Sequence, residues 1–234
     1  MRLSIPFATP LALLVALSVA PARAAERPVV VELFTSQSCS SCPPAEALLG
    51  QLANEGRTVL PLAFHVTYWD HLDWRDTFAL PAATRRQAAY AGKLGGGSYT
   101  PEAVIDGQVG LVGSETGSVR AAIARAQGAA SAEAPVALAR RGGTLVVTIG
   151  AGRGTGTVTL VGFDPRHTTK VARGENAGRT ITQANIVRAV NDIGRWSGQA
   201  ATLEAPLPAG AEAAVIVQAA DGRILGAARL GPAS

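Results

Sequence analysis

Residues 28–66 read PVVVELFTSQSCSSCPPAEALLGQLANEGRTVLPLAFHV, and three patterns follow one another inside them. Pro28 to Phe34 is a β-branched apolar run, the composition of a buried strand. Thr35 to Ser38 is polar and loop-like, and Cys39-Ser40-Ser41-Cys42-Pro43-Pro44 follows. From there the apolar residues fall at Ala45, Leu48, Leu49, Leu52 and Ala53, which is helical spacing. Pro43 and Pro44 suit a first turn, where no backbone donor is needed, and Gly56 ends the helix. Thr58 to Val66 makes a second strand despite Pro61. Strand, dithiol, helix and strand form a βαβ unit, whose two strands are expected to be parallel.

Downstream, Thr67 to Leu80 is rich in aromatics and acids and reads as a long functional loop. Pro81 to Leu94 is a helix broken by Gly95-Gly96-Gly97. Tyr99-Thr100-Pro101 precedes a short strand, Ala103 to Ile105. Asp106-Gly107 is a hairpin signal, and Val109 to Val112 returns. Ser114 can cap a helix over Glu115 to Gln127. After Ala129 the character changes. Val136 to Leu138, Thr144 to Ile149, Thr157 to Val161, Ala200 to Leu203, Ala213 to Gln218 and Ile224 to Leu230 are short apolar or alternating runs, several separated by glycine turns.

A Cys-x-x-Cys pair beside a βαβ pattern is the signature of a thioredoxin-like redox site. The attacking sulfur must be a thiolate, and a helix N-terminus stabilises negative charge there. Position makes Cys39 the exposed nucleophile and Cys42, one turn deeper, the resolving thiol. A structural role explains the pair poorly, because so short a loop removes little entropy from the unfolded chain. In thioredoxin-like folds a cis-proline faces the dithiol at the start of a later strand, and Thr100-Pro101 has that place. Ser40 and Ser41 leave the direction of electron flow open.

The stretches VVELFTSQSCSSCPPAEALL, AFHVTYWDHLDW, YTPEAVIDG and RGENAGRTITQANIVR resemble the secreted bacterial "domain of unknown function 1223" family over essentially the whole mature chain. That resemblance implies a thioredoxin-like fold and does not settle an activity. Family members commonly carry an acid where this chain has Thr67, and Thr67 cannot accept a proton from a buried thiol.

Other candidates have more than one reading each. His65 ends the second strand, where α/β sites gather; it either tunes the dithiol, or joins it in holding a metal, or is hydrogen-bonded in the core. Tyr68 and Trp69, with Asp70, Asp73 and Trp74, either line a binding face or plug a loop onto the core. Asp70 and Asp73 read as partners of Arg75 rather than as paired catalytic acids. Arg173 to Arg179 either folds back over the dithiol or is a turn with exposed charges. His71 and His167 suggest no ligand set.

At the N-terminus, Arg2, the apolar run Leu11 to Ala20 and Ala22-Arg23-Ala24 have the order of a cleaved secretory signal. Removing it lowers the formal charge from +4 to +2, since Arg2 and Arg23 go and no acid does. The basic residues are scattered and no basic-aromatic stripe appears, which argues against nucleic acid. The sequence therefore predicts a signal peptide over 1–24, an α/β thioredoxin-like domain over 25–130, and a smaller, mainly β C-terminal region over 131–234. The expected site is Cys39, Cys42 and Pro101, with Thr100, Tyr68 and Trp69 as substrate-binding residues; no cofactor or metal set is assigned. The expected function is thiol-disulfide exchange or redox relay with protein thiols or a redox partner protein, in the periplasm or outside the cell, with no membrane span in the mature chain. The alternatives are copper or zinc binding, or a non-catalytic binding protein on a thioredoxin scaffold.

Overall fold

A computed structural model describes residues 27–129 and 132–231; the expected signal peptide lies outside them. In chain order the elements are β1 (Val29–Thr35), α1 (Pro43–Asn54), β2 (Val59–His65), α2 (Pro81–Leu94), β3 (Glu102–Ile105), β4 (Val109–Val112), α3 (Thr116–Ala129), β5 (Val136–Arg141), β6 (Thr144–Ile149), β7 (Gly156–Lys170), β8 (Thr180–Trp196), β9 (Ala201–Pro206), β10 (Glu212–Gln218) and β11 (Ile224–Arg229). No described helix is long and apolar enough to cross a membrane.

β1 is buried along its whole length, as a run that is apolar but for Glu32 and the terminal Thr35 requires of a strand covered on both faces. It lies parallel to β2 and antiparallel to β3. Alternation then divides its side chains. Val29, Val31 and Leu33 face α1 and α3 through Leu48, Leu49, Leu52, Val119 and Ile123. Val30 and Phe34 face the other way, toward Tyr90 of α2 and a core shared with Phe64, Val161, Phe163, Val187 and Ile216. Each such buried side chain contributes about 1.5–3 kcal/mol.

That second core corrects the expected architecture. The α/β thioredoxin-like domain followed by a smaller β region is not what forms. The fold is mainly β: one eight-stranded mixed sheet in the order β11-β10-β7-β8-β2-β1-β3-β4, a three-stranded sheet β5-β6-β9, and three helices among the described residues. The reason is β8. The sequence reading placed no strand over Thr180–Trp196 and ended a strand at Val161, yet β7 and β8 form one long antiparallel ladder. β8 also lies parallel beside β2, through Ala63 and Ile186. Pro61 of β2 cannot donate to that ladder, and its carbonyl is taken instead by the Asn185 side chain at 2.7 Å. Asn185 adopts a φ of 47° there, a conformation asparagine tolerates better than most residues. The C-terminal strands thus extend the first sheet. Leu145, Val147, Leu160, Trp196 and Val215 fill the layer between it and the smaller sheet.

Candidate functional site

Three chain segments meet at one end of β1. Thr35, its last residue, pairs with His65 of β2. Phe34 pairs with Glu102, so the register brings Pro101 alongside the end of β1. The chain then turns, with Cys39 N–H donating to the Ser36 carbonyl at 3.1 Å and Cys42 N–H to the Cys39 carbonyl at 3.2 Å. Cys42 is the N-cap of α1, and Pro43 follows at the first helical position. Cys39 and Cys42 are joined as a disulfide with their Cα atoms 5.4 Å apart.

Cys39 is not exposed as position suggested. Both cysteines are buried, at 1 % and 0 % exposure, while Ser40 and Ser41 between them face solvent. The cover comes from the tip of the β7–β8 hairpin, residues 171–179. Asn176, itself buried, donates from Nδ2 to the carbonyls of Gln37 and Cys39, both at 2.9 Å. Glu175 accepts from Ser40 N–H at 3.3 Å. Gly174 has a φ of +77°, and a Cβ there would lie 3.3 Å from the Trp74 Cβ, so glycine lets the strap close on the chain at Trp74. The strap therefore folds over the disulfide with Glu175 and Asn176, while Arg173 and Arg179 remain exposed.

Beneath the disulfide lies a cluster of buried polar side chains. His65 Nδ1 is 2.7 Å from Asp76 Oδ2. Asp76 also accepts from the backbone N–H groups of Gln37 (2.7 Å) and Phe78 (2.8 Å). Burial opposes the charge on His65, but the Asp76 and Glu46 carboxylates outweigh it and raise its pKa. Burial would raise Asp76 as well; the His65 charge and hydrogen bond prevail and lower it. Gln183 of β8 ties this pair to Glu46: its Nε2 donates to Glu46 Oε1 at 2.8 Å and lies 3.4 Å from His65 Nε2. Thr35 Oγ1 donates to the same Glu46 oxygen at 2.8 Å. Gln37 Nε2 donates to Gln183 Oε1 at 3.2 Å, and Trp74 Nε1 to Gln37 Oε1 at 3.0 Å. Glu46 Oε2 is buried with no partner, and burial holds the carboxyl above its ordinary range.

The other expected residues gather beside this cluster. The Thr100–Pro101 bond is cis. Trp69 Nε1 donates to Thr100 Oγ1 at 2.8 Å, and Tyr68 OH to Gln87 Oε1 at 3.2 Å. Gln87 of α2 donates in turn to the Tyr99 carbonyl at 2.6 Å and to Glu102 at 2.7 Å. Tyr68, Trp69 and Thr100 are half-buried, and Pro101 is buried. A Cβ built on Gly113 would touch both Ala45 of α1 and Pro101, which places the two in one neighbourhood. Asp70 reaches Arg75 only at 3.8 Å, and that arginine is largely exposed. Among the described residues no group of three His, Cys, Asp or Glu side chains converges to hold a metal.

Glu46, Asp76 and Gln183 were not found from sequence. Glu46 had a signal: it follows Cys42 by one helical turn, on the stripe that continues to Leu49. Gln183 occupies an inward position of β8 between Ile181 and Asn185, a polar residue in the place of an apolar one.

A family model described as "Protein of unknown function (DUF1223)" matches residues 30–218. A protein of Agrobacterium tumefaciens with an X-ray crystal structure is similar at 31% identity and a TM-score of 0.76, over 86% of this chain and 93% of that one. HBP35 of Porphyromonas gingivalis shares the fold at a TM-score of 0.65 and 15% identity, over 88% of this chain and 75% of its own. None of the curated proteins matches.

Proposed function

The chain belongs to the DUF1223 family, and on that footing we propose that it carries out thiol-disulfide exchange with protein thiols through Cys39 and Cys42, in the periplasm or outside the cell. The observation that supports this most is the disulfide's place: it closes two residues of chain and caps the first turn of α1. A loop that short constrains the unfolded chain little, so stability is a poor reason for it. A helix N-terminus favours the thiolate that exchange requires.

In this reading a partner thiolate attacks Cys39. The partner–Cys39 disulfide forms, the Cys39–Cys42 bond breaks, and Cys42 departs with the electron pair. A second partner thiolate then displaces Cys39, leaving the partner oxidised and this protein reduced by two electrons. The reverse sequence oxidises the protein and reduces the partner. Because both cysteines are buried, the strap carrying Asn176 must move aside before a protein thiol can reach Cys39. Tyr68, Trp69 and Thr100 then offer a half-buried surface for the partner chain.

Equilibration with glutathione over a range of ratios tests the reading, with alkylation of the single variants Cys39→Ser and Cys42→Ser. A measurable potential is expected, with Cys42→Ser trapping mixed disulfides on Cys39. A disulfide that stays closed at every accessible potential would rule the reading out and leave a binding role. Equal alkylation of both thiols would refute the order of attack.

A further inference from the structure

Resting on that exchange reading, we propose that Glu46 is the proton donor and acceptor for the Cys42 sulfur, and that it exchanges its proton with water in the cleft between α1 and the β7–β8 ladder.

Three observations meet at this residue. The first is the orphaned oxygen. Oε1 of Glu46 accepts from Thr35 and Gln183, but Oε2 is buried with no partner. A buried carboxylate oxygen without a donor is costly, whereas a neutral carboxyl carries there a hydrogen that can itself be donated. The second is direction. Cys42 and Glu46 stand one turn apart on one face, and helical side chains lean over the turn N-terminal to them. The Glu46 carboxyl therefore covers the turn that begins with Cys42. The third is access. A cleft of about 470 Å³ is lined by Glu46, Gly50, Asn54, Arg166, Thr182 and Gln183, so water in it borders this residue although the carboxyl itself is buried.

The charged groups around it are His65 and Asp76 beneath the sheet end and Arg166 from β7 in the cleft. Burial outweighs the His65 charge and the two hydrogen bonds, so the neutral acid is favoured into a higher pH range than usual. His65 is a weaker candidate, because Nδ1 is held by Asp76 and Nε2 faces the Gln183 amide.

When a partner thiolate attacks Cys39, the electron pair of the broken S–S bond leaves on Cys42 Sγ. That sulfur takes the Glu46 proton and becomes a thiol, and Glu46 becomes a carboxylate. Water in the cleft then reprotonates Glu46. In the reverse direction Glu46 carboxylate takes the Cys42 proton. The Cys42 thiolate attacks Cys39 of the mixed disulfide, and the partner leaves as its thiolate. Without Glu46 the leaving sulfur would be stranded as a buried anion.

The test is the rate of reduction by dithiothreitol, and of reoxidation by oxidised dithiothreitol, from pH 5 to 9 for the wild type and Glu46→Gln. Rates are corrected for the thiolate fraction of the reagent. Glutamine keeps the shape and the hydrogen bonding but holds no transferable proton. Both directions should slow on the order of a hundredfold, the low end of what general acid–base catalysis supplies, and the profile should lose one inflection. A Glu46→Gln protein that matches the wild type overturns the assignment while leaving exchange intact. A wild type that dithiothreitol cannot reduce overturns the exchange reading, and this one with it. A second measurement needs no variant: the infrared difference between the disulfide and dithiol forms of the wild type should show the carbonyl band of a protonated buried carboxyl shifting in frequency, as the sulfur beside Glu46 goes from disulfide to thiol while Glu46 ends protonated in both forms. The absence of that shift overturns the assignment even if Glu46→Gln fails to fold.

Discussion

Glu32 and Glu46 are both buried carboxyls set against the same central strand, and the protein treats them in opposite ways. Glu32, on β1, faces α2. Arg86 donates to both of its oxygens, from Nη2 at 2.8 Å to Oε1 and from Nε to Oε2. Tyr90 OH adds a third donor at 2.7 Å, and Gln218 Nε2 donates to that hydroxyl at 2.7 Å. The guanidinium also sits over the rings of Phe64 and Tyr90. Burial and the Glu32 charge push the Tyr90 phenol up, which keeps it a donor at any ordinary pH. Glu46, on α1, faces the disulfide end and meets only neutral donors, with one oxygen left bare. A fully compensated charge pins a helix to a sheet. A carboxyl left partly uncompensated is one whose proton can move.

The largest expected effect lies on the compensated side. Arg86→Met removes the cation and leaves Glu32 buried without it, so the protein should lose about 3–5 kcal/mol of stability. Denaturant unfolding measures this, and a loss below about 1 kcal/mol would break the comparison, because isolated surface pairs contribute no more than that. Tyr90→Phe should cost less, about 1.5–3 kcal/mol, by removing one hydrogen bond to a charged group. Neither change should alter the rate at which dithiothreitol reduces the disulfide, since both lie on α2 away from Cys39.

The two ends also differed in how far they could be read from sequence. β1, the Pro-initiated α2 from Pro81 to Leu94 and the Asp106-Gly107 hairpin announced themselves, because periodicity and turn chemistry are local properties. β8 did not. Thr180, Thr182, Arg188, Asn191 and Asp192 dilute its apolar residues, and what holds it extended is pairing with β7 and β2, distant in the chain. Missing that one strand made the C-terminal region look separate and the fold look α/β. At the site, the cysteines and Thr100-Pro101 were legible as motifs. Glu46, Asp76 and Gln183 were not, since a buried polar side chain is defined by partners on other strands. The exposure assigned to Cys39 failed for the same reason: a place in the loop before α1 says nothing about a strap supplied by residues 171–179.

That strap supplies the next prediction. Asn176 holds two buried carbonyls with neutral hydrogen bonds, so Asn176→Ala should cost about 1–2 kcal/mol, less than either α2 substitution. Its larger consequence is kinetic. Dithiothreitol should reduce the disulfide faster than in the wild type, because the cover over Cys39 is loosened. An unchanged or slower rate would mean that the strap does not limit access, and would place the barrier elsewhere at the neutral end.

The smallest effect, and the one that bears most directly on the two carboxyls, is the pH dependence of stability in Glu46→Gln. Burial raises the folded pKa of Glu46 above its ordinary value of 4.5. A group raised in this way contributes its stability fully below the unfolded value and loses it as pH climbs through the folded one. His65 behaves likewise: burial pulls it down, but the Asp76 and Glu46 carboxylates hold it above 6.5, so its contribution also fades as pH rises. Asp76 has the opposite sign. Burial is outweighed by the His65 charge, its pKa falls below 3.8, and its contribution is lost only in stronger acid. Between pH 5 and 9 the wild type should therefore lose stability with rising pH through Glu46 and His65 together. Glu46→Gln removes the first of these and weakens the second, because one of the carboxylates that raises His65 is gone. Wild type and variant should be close at pH 5, and the variant should gain on the wild type toward pH 9, read as a shift in urea midpoint at constant slope. The reverse order at pH 9 would mean that the Glu46 carboxylate is stabilised in the fold as a charge, and the contrast with Glu32 would vanish.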